Sequence, residues 1–419
     1  MSFLIIGNSA AGIAAAEAIR LYDHSSPITI LSEESTWAYS RVVLSWIIKD
    51  DISDRALFFR GPEFYEQLGV TLIRGERIVQ VSPADYVVRA ASGRAYPYRR
   101  LLVATGSSAN QLRVPGVALK GVHVLRSLAD AQAIRAEVDQ ASSVLIAGGG
   151  LVGVKCADAL AHHGLRVVLV VSSGQILSQV LNYEASCIAA ELLSKLGVEI
   201  RYHTSVERFA GDNQSLVTAY LSDGTCVPCD LAVVGKGVTP SVDLVRGSGV
   251  AVNRGILVNE RQQTNVPDTF AAGDVAEAFD AVTGDRDICA NWPTAVAQGH
   301  VAGVNMIGGD LKYGGNLRAN VLEIGGLSFA SVGNVRALPG VDVCSCGPDQ
   351  RGWGNWLYTR GQRVVGATLT GNISGLSLFK WLIRNQTLLT GDDRELLWQP
   401  QSYLAYLVKR HSFLESVLC

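Results

Sequence analysis

The sequence predicts an α/β fold with two similar βαβ units followed by a smaller α+β region. Two apolar runs, starting at Phe3 and at Val144, each enter a glycine-containing turn and then a helix-forming stretch. Both runs are apolar at every position, as a central parallel strand covered by helices must be. After Asp310 the pattern changes to alternating strand-like runs, which predicts the separate α+β region.

Composition and charge exclude several classes of protein. The chain has 419 residues, of which 48% are hydrophobic and 18% charged, so most of it is expected to fold, in two or three domains. A formal charge of −2 favours no nucleic-acid partner. We find no leader-like segment and no apolar run of membrane-spanning length, and eight cysteines are too few for a disulfide scaffold. These features predict a soluble protein of the reducing cytoplasm.

The apolar runs and the stretches between them predict the elements in chain order. Strands are predicted at Phe3–Ile6, Ile28–Leu31, Leu101–Ala104, Val144–Ala147, Arg166–Val171, Leu231–Val234, Val321–Ile324, Leu327–Val332 and Arg363–Thr370. Helices are predicted at Ile13–Arg20, after Gly153 as far as His163, and at Pro293–Met306, Ser377–Arg384 and Tyr403–Val417.

The first glycine turn has a form that brings the backbone close to a pyrophosphate. Gly7, Ser9 and Gly12 follow the first strand and precede the first helix, so that a phosphate would lie on the free N–H groups of the helix N-terminus. Serine is a small substitute for the usual middle glycine, and its hydroxyl can reach a phosphate oxygen. A dinucleotide site is favoured here over a purely structural turn.

An acidic pair follows the second strand of this unit. Glu33 lies slightly further from Gly7 than the roughly 20 positions expected of a carboxylate that binds a ribose hydroxyl. Glu33 is the first candidate for that role because it directly follows Ser32 at the strand end, and Glu34 is the second.

The second turn carries all three glycines of the pattern, so both units are interpreted as Rossmann-like dinucleotide-binding domains. Its binding residues are predicted to be Gly148, Gly149, Gly150, Leu151, Val152 and Gly153. The strand that follows ends in Val171-Ser172-Ser173, without a carboxylate for a ribose hydroxyl and without an arginine for a 2′-phosphate. The absence of nearby cations favours NAD over NADP.

Four separated motifs together carry a resemblance to a known family. They are Gly7–Gly12, Leu101–Gly106, Gly148–Gly153 and Thr269–Asp274. In order and spacing they resemble the pyridine nucleotide-disulfide oxidoreductase superfamily, in the branch of rubredoxin reductases, ferredoxin reductases and the flavin part of assimilatory nitrite reductase. The resemblance covers roughly residues 1–310.

The resemblance implies a division of the chain and two cofactors, FAD and NAD(H). It implies a discontinuous FAD-binding domain over residues 1–112 and 240–310, an NAD(H)-binding domain over 113–239 and an α+β interface domain over 311–419. The C-terminal part also resembles FAD subunits of NAD-coupled multisubunit iron–sulfur enzymes such as phenylglyoxylate dehydrogenase.

The resemblance further implies roles for individual residues. Asp274 would bind the ribityl chain of FAD, Ile78 would hold the adenine through its backbone, and Arg126 would neutralise negative charge on FAD. Trp292, at a helix N-terminus, would lie near the flavin ring; core packing for Trp292 and a surface ion pair for Arg126 are the alternatives. The full FAD set is Gly7, Ser9, Ala10, Ala11, Gly12, Glu33, Arg41, Ile78, Thr105, Gly106, Arg126, Asp274 and Trp292, and Gly237 joins the NAD set.

The residues that this chain lacks argue against disulfide chemistry and against a metal site. Disulfide reductases of this superfamily carry a reactive cysteine where this chain has Tyr39–Ser45, which contains none. Cys226 and Cys229 are interpreted as structural thiols, and no spacing of cysteines fits an iron–sulfur cluster or another metal site. Lys155 stands where many relatives have an acid, and it either faces the nicotinamide site or projects from its helix.

These observations predict an FAD-dependent oxidoreductase that exchanges hydride with NAD(H) and passes electrons to or from an iron–sulfur protein or subunit. The flavin would carry the chemistry without a catalytic side chain. A subunit of a hetero-complex or a homodimer is expected. A stand-alone NADH oxidase or quinone-type reductase and a flavin-binding regulatory protein are the alternatives.

Overall fold

The largest sheet combines the parallel strands of the first βαβ unit with two further antiparallel strands. In a computed structural model that describes residues 2–389, this sheet has seven strands. Six follow one another in the order Val70–Arg74, Ile28–Ser32, Ser2–Ile6, Ala95–Val103, Val87–Ala90 and Ile78–Ser82, and Thr269–Ala271 pairs with Ala95–Val103. Ser2–Ile6 pairs in parallel with both of its neighbours, as predicted for a buried central strand. The last two antiparallel strands of the order were not predicted.

The second βαβ unit builds its own parallel sheet. Among the described residues this sheet has five strands, in the order Val122–Val124, Leu231–Val234, Ser143–Ala147, Arg166–Val171 and Glu199–Tyr202. The predicted bounds of Arg166–Val171 and Leu231–Val234 are confirmed to the residue. An antiparallel sheet of Val206–Asp212, Ser215–Leu221 and Cys226–Pro228 stands beside it.

The region after Asp310 is the predicted α+β unit. Its antiparallel sheet runs in the order Ala319–Ile324, Leu327–Gly333, Arg363–Thr370, Gly354–Arg360 and Asp342–Cys346, and the helix Leu376–Arg384 packs against it. The last two strands of that order were not predicted from the sequence. Asp342–Cys346 is mostly exposed, so it lacks the apolar pattern that identified the others. The predicted helix at Tyr403–Val417 lies outside the described residues.

Helices cover the parallel sheets, and short strands connect them. The α-helices are Ala10–Tyr22, Leu44–Lys49, Asp54–Leu57, Pro62–Leu68, Leu128–Val138, Leu151–Ala161, Tyr183–Lys195, Trp292–Met306 and Leu376–Arg384, and the 3₁₀ turns are Arg41–Val43, Pro83–Asp85 and Asp243–Val245. The short pairings are Ala38–Tyr39 with Phe58–Arg60, Ser107–Ala109 with Val238–Pro240, and Ile256–Leu257 with Ala276–Phe279 and Arg286–Asp287.

Small residues set how closely two of these helices approach. We call Ala10–Tyr22 the first loop helix and Leu151–Ala161 the second loop helix. A Cβ added at Gly299 of the helix Trp292–Met306 would lie 2.2 Å from the Ala11 carbonyl oxygen, so these helices touch backbone to backbone. The contact fixes the start of the first loop helix against the C-terminal end of the central strands. No helix within residues 2–389 is long and apolar enough to cross a membrane.

Candidate cofactor site

The first glycine turn is closed so tightly that side chains are excluded from it. Gly7 has φ +122°, and a Cβ there would lie 2.1 Å from the Ala104 carbonyl oxygen. A Cβ at Gly12 would lie 2.0 Å from the Gly7 carbonyl oxygen. The turn therefore packs against the end of the neighbouring strand Ala95–Val103, and the first loop helix begins at this edge of the sheet.

The start of the first loop helix has free donors of the kind that bind a phosphate. Ser9 is the N-cap residue, and its hydroxyl makes no capping hydrogen bond. The first intrahelical bond runs from the Ile13 N–H to the Ser9 carbonyl at 2.9 Å, so the N–H groups of Ala10, Ala11 and Gly12 precede the helical hydrogen-bond pattern. Free N–H groups and the positive end of the helix dipole fit the pyrophosphate of a dinucleotide.

The second turn repeats this geometry in the parallel sheet. Gly148 has φ +128°, and a Cβ added there would lie 2.3 Å from the Gly235 carbonyl oxygen. A Cβ added at Gly153 would lie 1.8 Å from the Gly148 carbonyl oxygen. Gly150, the N-cap of the second loop helix, differs because a Cβ there would meet no protein atom within 4 Å. The turn is thus tight on the protein side and open at its middle glycine, which fits a second dinucleotide.

A polar cluster joins residues that lie far apart in the sequence. One carboxylate oxygen of Asp274 accepts hydrogen bonds from the Arg126 guanidinium and the Ser107 hydroxyl, both at 2.8 Å. Arg126 also donates from Nε to the Ser107 carbonyl at 2.9 Å. Asp274 is 14% exposed and Arg126 27% exposed, so the pair is partly screened from water. The structure brings these two predicted residues together, and the pairing expected as the alternative for Arg126 is present.

Two other predicted residues support this cluster from either side. Arg41 donates from Nη1 to the Arg126 carbonyl at 2.8 Å, and Thr105 donates to the Ser241 carbonyl at 2.9 Å. Ser107 was not predicted as a site residue, although it directly follows the motif that ends at Gly106. A hydroxyl next to a recognised motif was the signal that could have identified it.

The two acidic candidates after the second strand have different surroundings. Glu34 binds Arg41 through an ion pair and accepts a 2.6 Å hydrogen bond from the Tyr39 hydroxyl. Burial, together with this carboxylate, raises the pKa of Tyr39 above its usual range. Glu33 is exposed and pairs only loosely with Arg77, at 3.4 Å. The carboxylate of Glu34 is therefore already bound to Arg41 and Tyr39, and Glu33 remains the predicted ribose ligand.

The remaining predicted residues lie around the edges of the two turns. Ile78 opens an antiparallel strand and pairs with Ala90. Trp292 starts its helix and contacts Phe59 edge to face, with ring centroids 5.1 Å apart, which is the packing role considered above. Gly237, at φ +80°, accepts a 3.0 Å hydrogen bond from the Asn110 N–H. Their contacts with cofactors remain predictions.

Residues 1–299 match the family described as pyridine nucleotide-disulphide oxidoreductase. The chain belongs to this family. It falls in the branch that works without a redox-active disulfide, and it is an FAD-dependent NAD(P)H oxidoreductase.

Individual relatives and one solved structure agree with the family and the fold. The chain is 31% identical over 394 residues to the NADH-dependent phenylglyoxylate dehydrogenase subunit epsilon of Aromatoleum evansii, covering 93% of this chain and 92% of that protein. It is 33% identical to the biphenyl dioxygenase system ferredoxin–NAD(+) reductase component of Paraburkholderia xenovorans, over 65% of this chain and 66% of the relative. The reductase chain in a covalent putidaredoxin reductase–putidaredoxin complex superimposes with TM-score 0.89 at 23% identity, covering 97% and 98% of the two chains.

One thiol of the pair Cys226 and Cys229 is buried and the other is exposed. Within residues 2–389 every cysteine is a free thiol. Burial raises the pKa of Cys229 to about 12, and its neighbour in sequence, Cys226, is exposed on a strand edge. A thiol with a raised pKa is a poor nucleophile. The placement of these two thiols supports their interpretation as structural.

Lys155 of the second loop helix is half-buried, and its side chain is directed towards a neighbouring turn of the protein. Its Nζ donates to the Val42 carbonyl at 3.4 Å, which directs the side chain towards the 3₁₀ turn Arg41–Val43. His163, at the end of the same helix, bonds through Nε2 to the Ile48 carbonyl at 2.7 Å. This side of the second loop helix is therefore an internal contact between the two dinucleotide-binding parts of the fold.

Proposed function

We propose that the protein transfers hydride between NAD(H), bound at Gly148–Gly153, and FAD, bound at Gly7–Gly12, and exchanges electrons with an iron–sulfur protein or subunit. The observation that carries the proposal is the presence of two tight glycine turns, each opening a helix with free N–H donors, in one chain. FAD supplies the conversion between two-electron hydride chemistry and single-electron transfer when bound. A relative named as a ferredoxin–NAD(+) reductase component supports an iron–sulfur protein as the partner, and a relative named as a dehydrogenase subunit supports a place in a larger complex.

The protein's own residues would bind and orient, without acting as acid, base or nucleophile. The N–H groups of Ala10 and Ala11 would hold the FAD pyrophosphate, and Asp274 would accept hydrogen bonds from the ribityl hydroxyls. Arg126, already paired with Asp274, would hold that carboxylate in place. Such positioning is the main contribution that a protein makes to flavin chemistry.

We also propose the predicted division into an FAD-binding part at 1–112 and 240–310, an NAD(H)-binding part at 113–239 and an interface part at 311–419. Its support is that the seven-stranded sheet draws strands from both sides of the second βαβ unit. We place the activity in the cytoplasm, because the cysteines of the described residues are all free thiols.

Anaerobic stopped-flow absorbance of the purified FAD-loaded protein tests the proposal. Mixing with NADH should bleach the visible flavin band, and the same experiment with NADPH gives the nucleotide preference. An iron–sulfur acceptor added to the reduced protein should restore the band. A flavin that neither nucleotide reduces would contradict the proposal and favour a regulatory role.

The same preparation separates the electron transferase from its nearest alternative. Rapid steady-state oxidation of NADH with oxygen or a quinone as the sole acceptor would indicate an oxidase or a quinone-type reductase. Slow turnover with those acceptors and rapid turnover with a ferredoxin or rubredoxin would support the proposed partner.

A further inference from the structure

Two lysines lie where the helix Leu44–Lys49 packs along the second loop helix, and they differ in their counter-ions. Lys49 lies 3.6 Å from a carboxylate oxygen of Asp158 and 3.3 Å from one of Asp51. Lys155 comes three residues before Asp158 on the second loop helix and is therefore one helical turn nearer to the glycine turn than Asp158. Its ammonium donates only to a neutral group, the Val42 carbonyl. Within residues 2–389 no carboxylate lies within ion-pair distance of Lys155.

An ammonium in this position is costly without a negative partner. Burial lowers the pKa of Lys155 because it removes water from the charged form. The carboxylate of Asp158, on the same helix, is occupied by Lys49 and by the Gly325 N–H at 3.1 Å. A partly buried charge that the protein leaves unpaired is a frequent feature of functional sites.

The surroundings of Lys155 connect the two cofactor turns. Lys155 follows Gly153 by two residues, on the helix that the second glycine turn opens. Its acceptor, Val42, is next to Arg41, which in turn bonds to the Arg126 carbonyl at 2.8 Å. Arg126 pairs with Asp274 of the first cofactor site. The ammonium is thus held between the elements that position NAD(H) and those that position FAD.

We propose that Lys155 is a positioned counter-charge for the electrons that reach the flavin, so that it raises the reduction potential of bound FAD. The inference rests on the hydride exchange proposed above. A hydride leaves NADH with two electrons and one proton, NAD+ is formed, and the same two electrons and proton arrive on the flavin, adding one negative charge. A nearby ammonium stabilises this added charge and leaves the uncharged starting state unaffected.

Equilibration of the FAD-loaded protein with a reference redox dye, in the absence of any nicotinamide nucleotide, tests this role. Lys155→Met should shift the ratio of reduced to oxidised flavin about tenfold towards oxidised at a fixed dye ratio, equal to about 30 mV for a two-electron couple. Lys155→Glu should shift it further in the same direction, and Lys155→Arg should retain the wild-type ratio. Lys49→Met is the matched control, since it removes the same charge beside Asp158, one helical turn further from the glycine turn than Lys155, and its ratio should change less than that of Lys155→Met.

Two results would overturn the inference. They are an unchanged flavin ratio in a folded, FAD-loaded Lys155→Met or Lys155→Gln protein, and an equal shift in Lys49→Met. An unchanged ratio together with weaker NADH binding would assign Lys155 to a phosphate of the nicotinamide nucleotide instead. Because the titration contains no nucleotide, its outcome is independent of whether NADH reduces the wild type, which is the test of the proposed function.

Discussion

Arg126 donates a 2.8 Å hydrogen bond to Asp274, and this ion pair joins the segment before the helix Leu128–Val138 to the motif Thr269–Asp274. The Ser107 hydroxyl binds the same carboxylate oxygen at 2.8 Å. The pair fixes the direction of a carboxylate whose second oxygen remains available to a ligand. A charge-assisted hydrogen bond of this kind is stronger and more directional than one between neutral groups.

Asp274→Asn should weaken FAD binding. The change removes the charge that holds Arg126 and that would accept the ribityl hydrogen bonds, a loss of roughly 1.5–3 kcal/mol, or about tenfold to a hundredfold in affinity. Recovery of FAD fluorescence on dilution measures the affinity. Asp50→Asn, which breaks an exposed pair with Arg135 at the same 2.8 Å distance, should leave FAD binding unchanged. Wild-type affinity in Asp274→Asn would exclude this residue from the site.

Gly150→Ala should weaken NADH binding while the protein still folds. A Cβ at this position meets no protein atom within 4 Å, so the fold should lose no more than about 1 kcal/mol for the poorer N-cap. The added methyl group would stand where a pyrophosphate approaches the backbone, so NADH should bind about tenfold more weakly, about 1.4 kcal/mol. Stopped-flow reduction at increasing NADH concentrations gives the affinity, and thermal unfolding and FAD content give the controls. Unchanged NADH affinity would place the dinucleotide elsewhere.

Ser172→Glu should increase the preference for NADH over NADPH. Ser172 follows the last residue of the strand Arg166–Val171, where a carboxylate would accept a hydrogen bond from the ribose 2′-hydroxyl and repel a 2′-phosphate. The ratio of the two reduction efficiencies should rise about tenfold, about 1.4 kcal/mol. Ser194→Glu adds the same charge on an exposed turn of the helix Tyr183–Lys195 and should leave the ratio unchanged. An equal effect of both variants would indicate a general charge effect and not a ribose contact.

Glu277→Gln should destabilise the protein in a pH-dependent way. Glu277 is 1% exposed and accepts hydrogen bonds from the Arg254 and Gly255 N–H groups at 3.0 Å and from Asn253 at 2.9 Å. Burial alone would raise the pKa of this carboxyl, but the three donors hold the pKa below its usual value of 4.5. At pH 7 the variant should lose about 1–3 kcal/mol of unfolding free energy.

The sign of the pH effect follows from the lowered pKa. The ionised Glu277 contributes fully above pH 4.5, the unfolded value, and its contribution declines as the pH falls through the lower folded value. Urea unfolding at pH 7, 5 and 4 should therefore give a constant difference from wild type at the first two values and a smaller one at the third. Glu191→Gln, which breaks an exposed pair with Lys195, should have little effect at any pH.

The two cofactor turns were predictable because their requirements are local. At Gly12 and Gly153 any side chain would overlap a carbonyl oxygen five residues earlier, so the glycine spacing records the shape of the turn. The apolar runs before the turns identify parallel strands for the same reason, since burial on both faces tolerates few polar residues. The alternating runs after Asp310 predicted Leu327–Gly333 to within one residue and Ala319–Ile324 to within two.

The strand Gly354–Arg360 and the contacts of Glu34 were not predictable in this way. The strand is buried at five of seven positions, but glycine, asparagine and tryptophan at its start obscure the alternation. Glu34 and Glu33 are adjacent and chemically equivalent in the sequence. Only the return of the chain through Tyr39 and Arg41 assigns Glu34 a structural contact and leaves Glu33 exposed.

The amino-acid sequence by itself determined the two βαβ units, their glycine turns and the absence of a cysteine near the flavin position, because each depends on a short stretch of chain. The tertiary structure alone decided that Arg126 meets Asp274 and that the half-buried Lys155 turns towards Val42. Such pairings depend on which elements become neighbours after the sheets are covered. The free energy of a charge then depends on how much water and which counter-ions those neighbours leave around it.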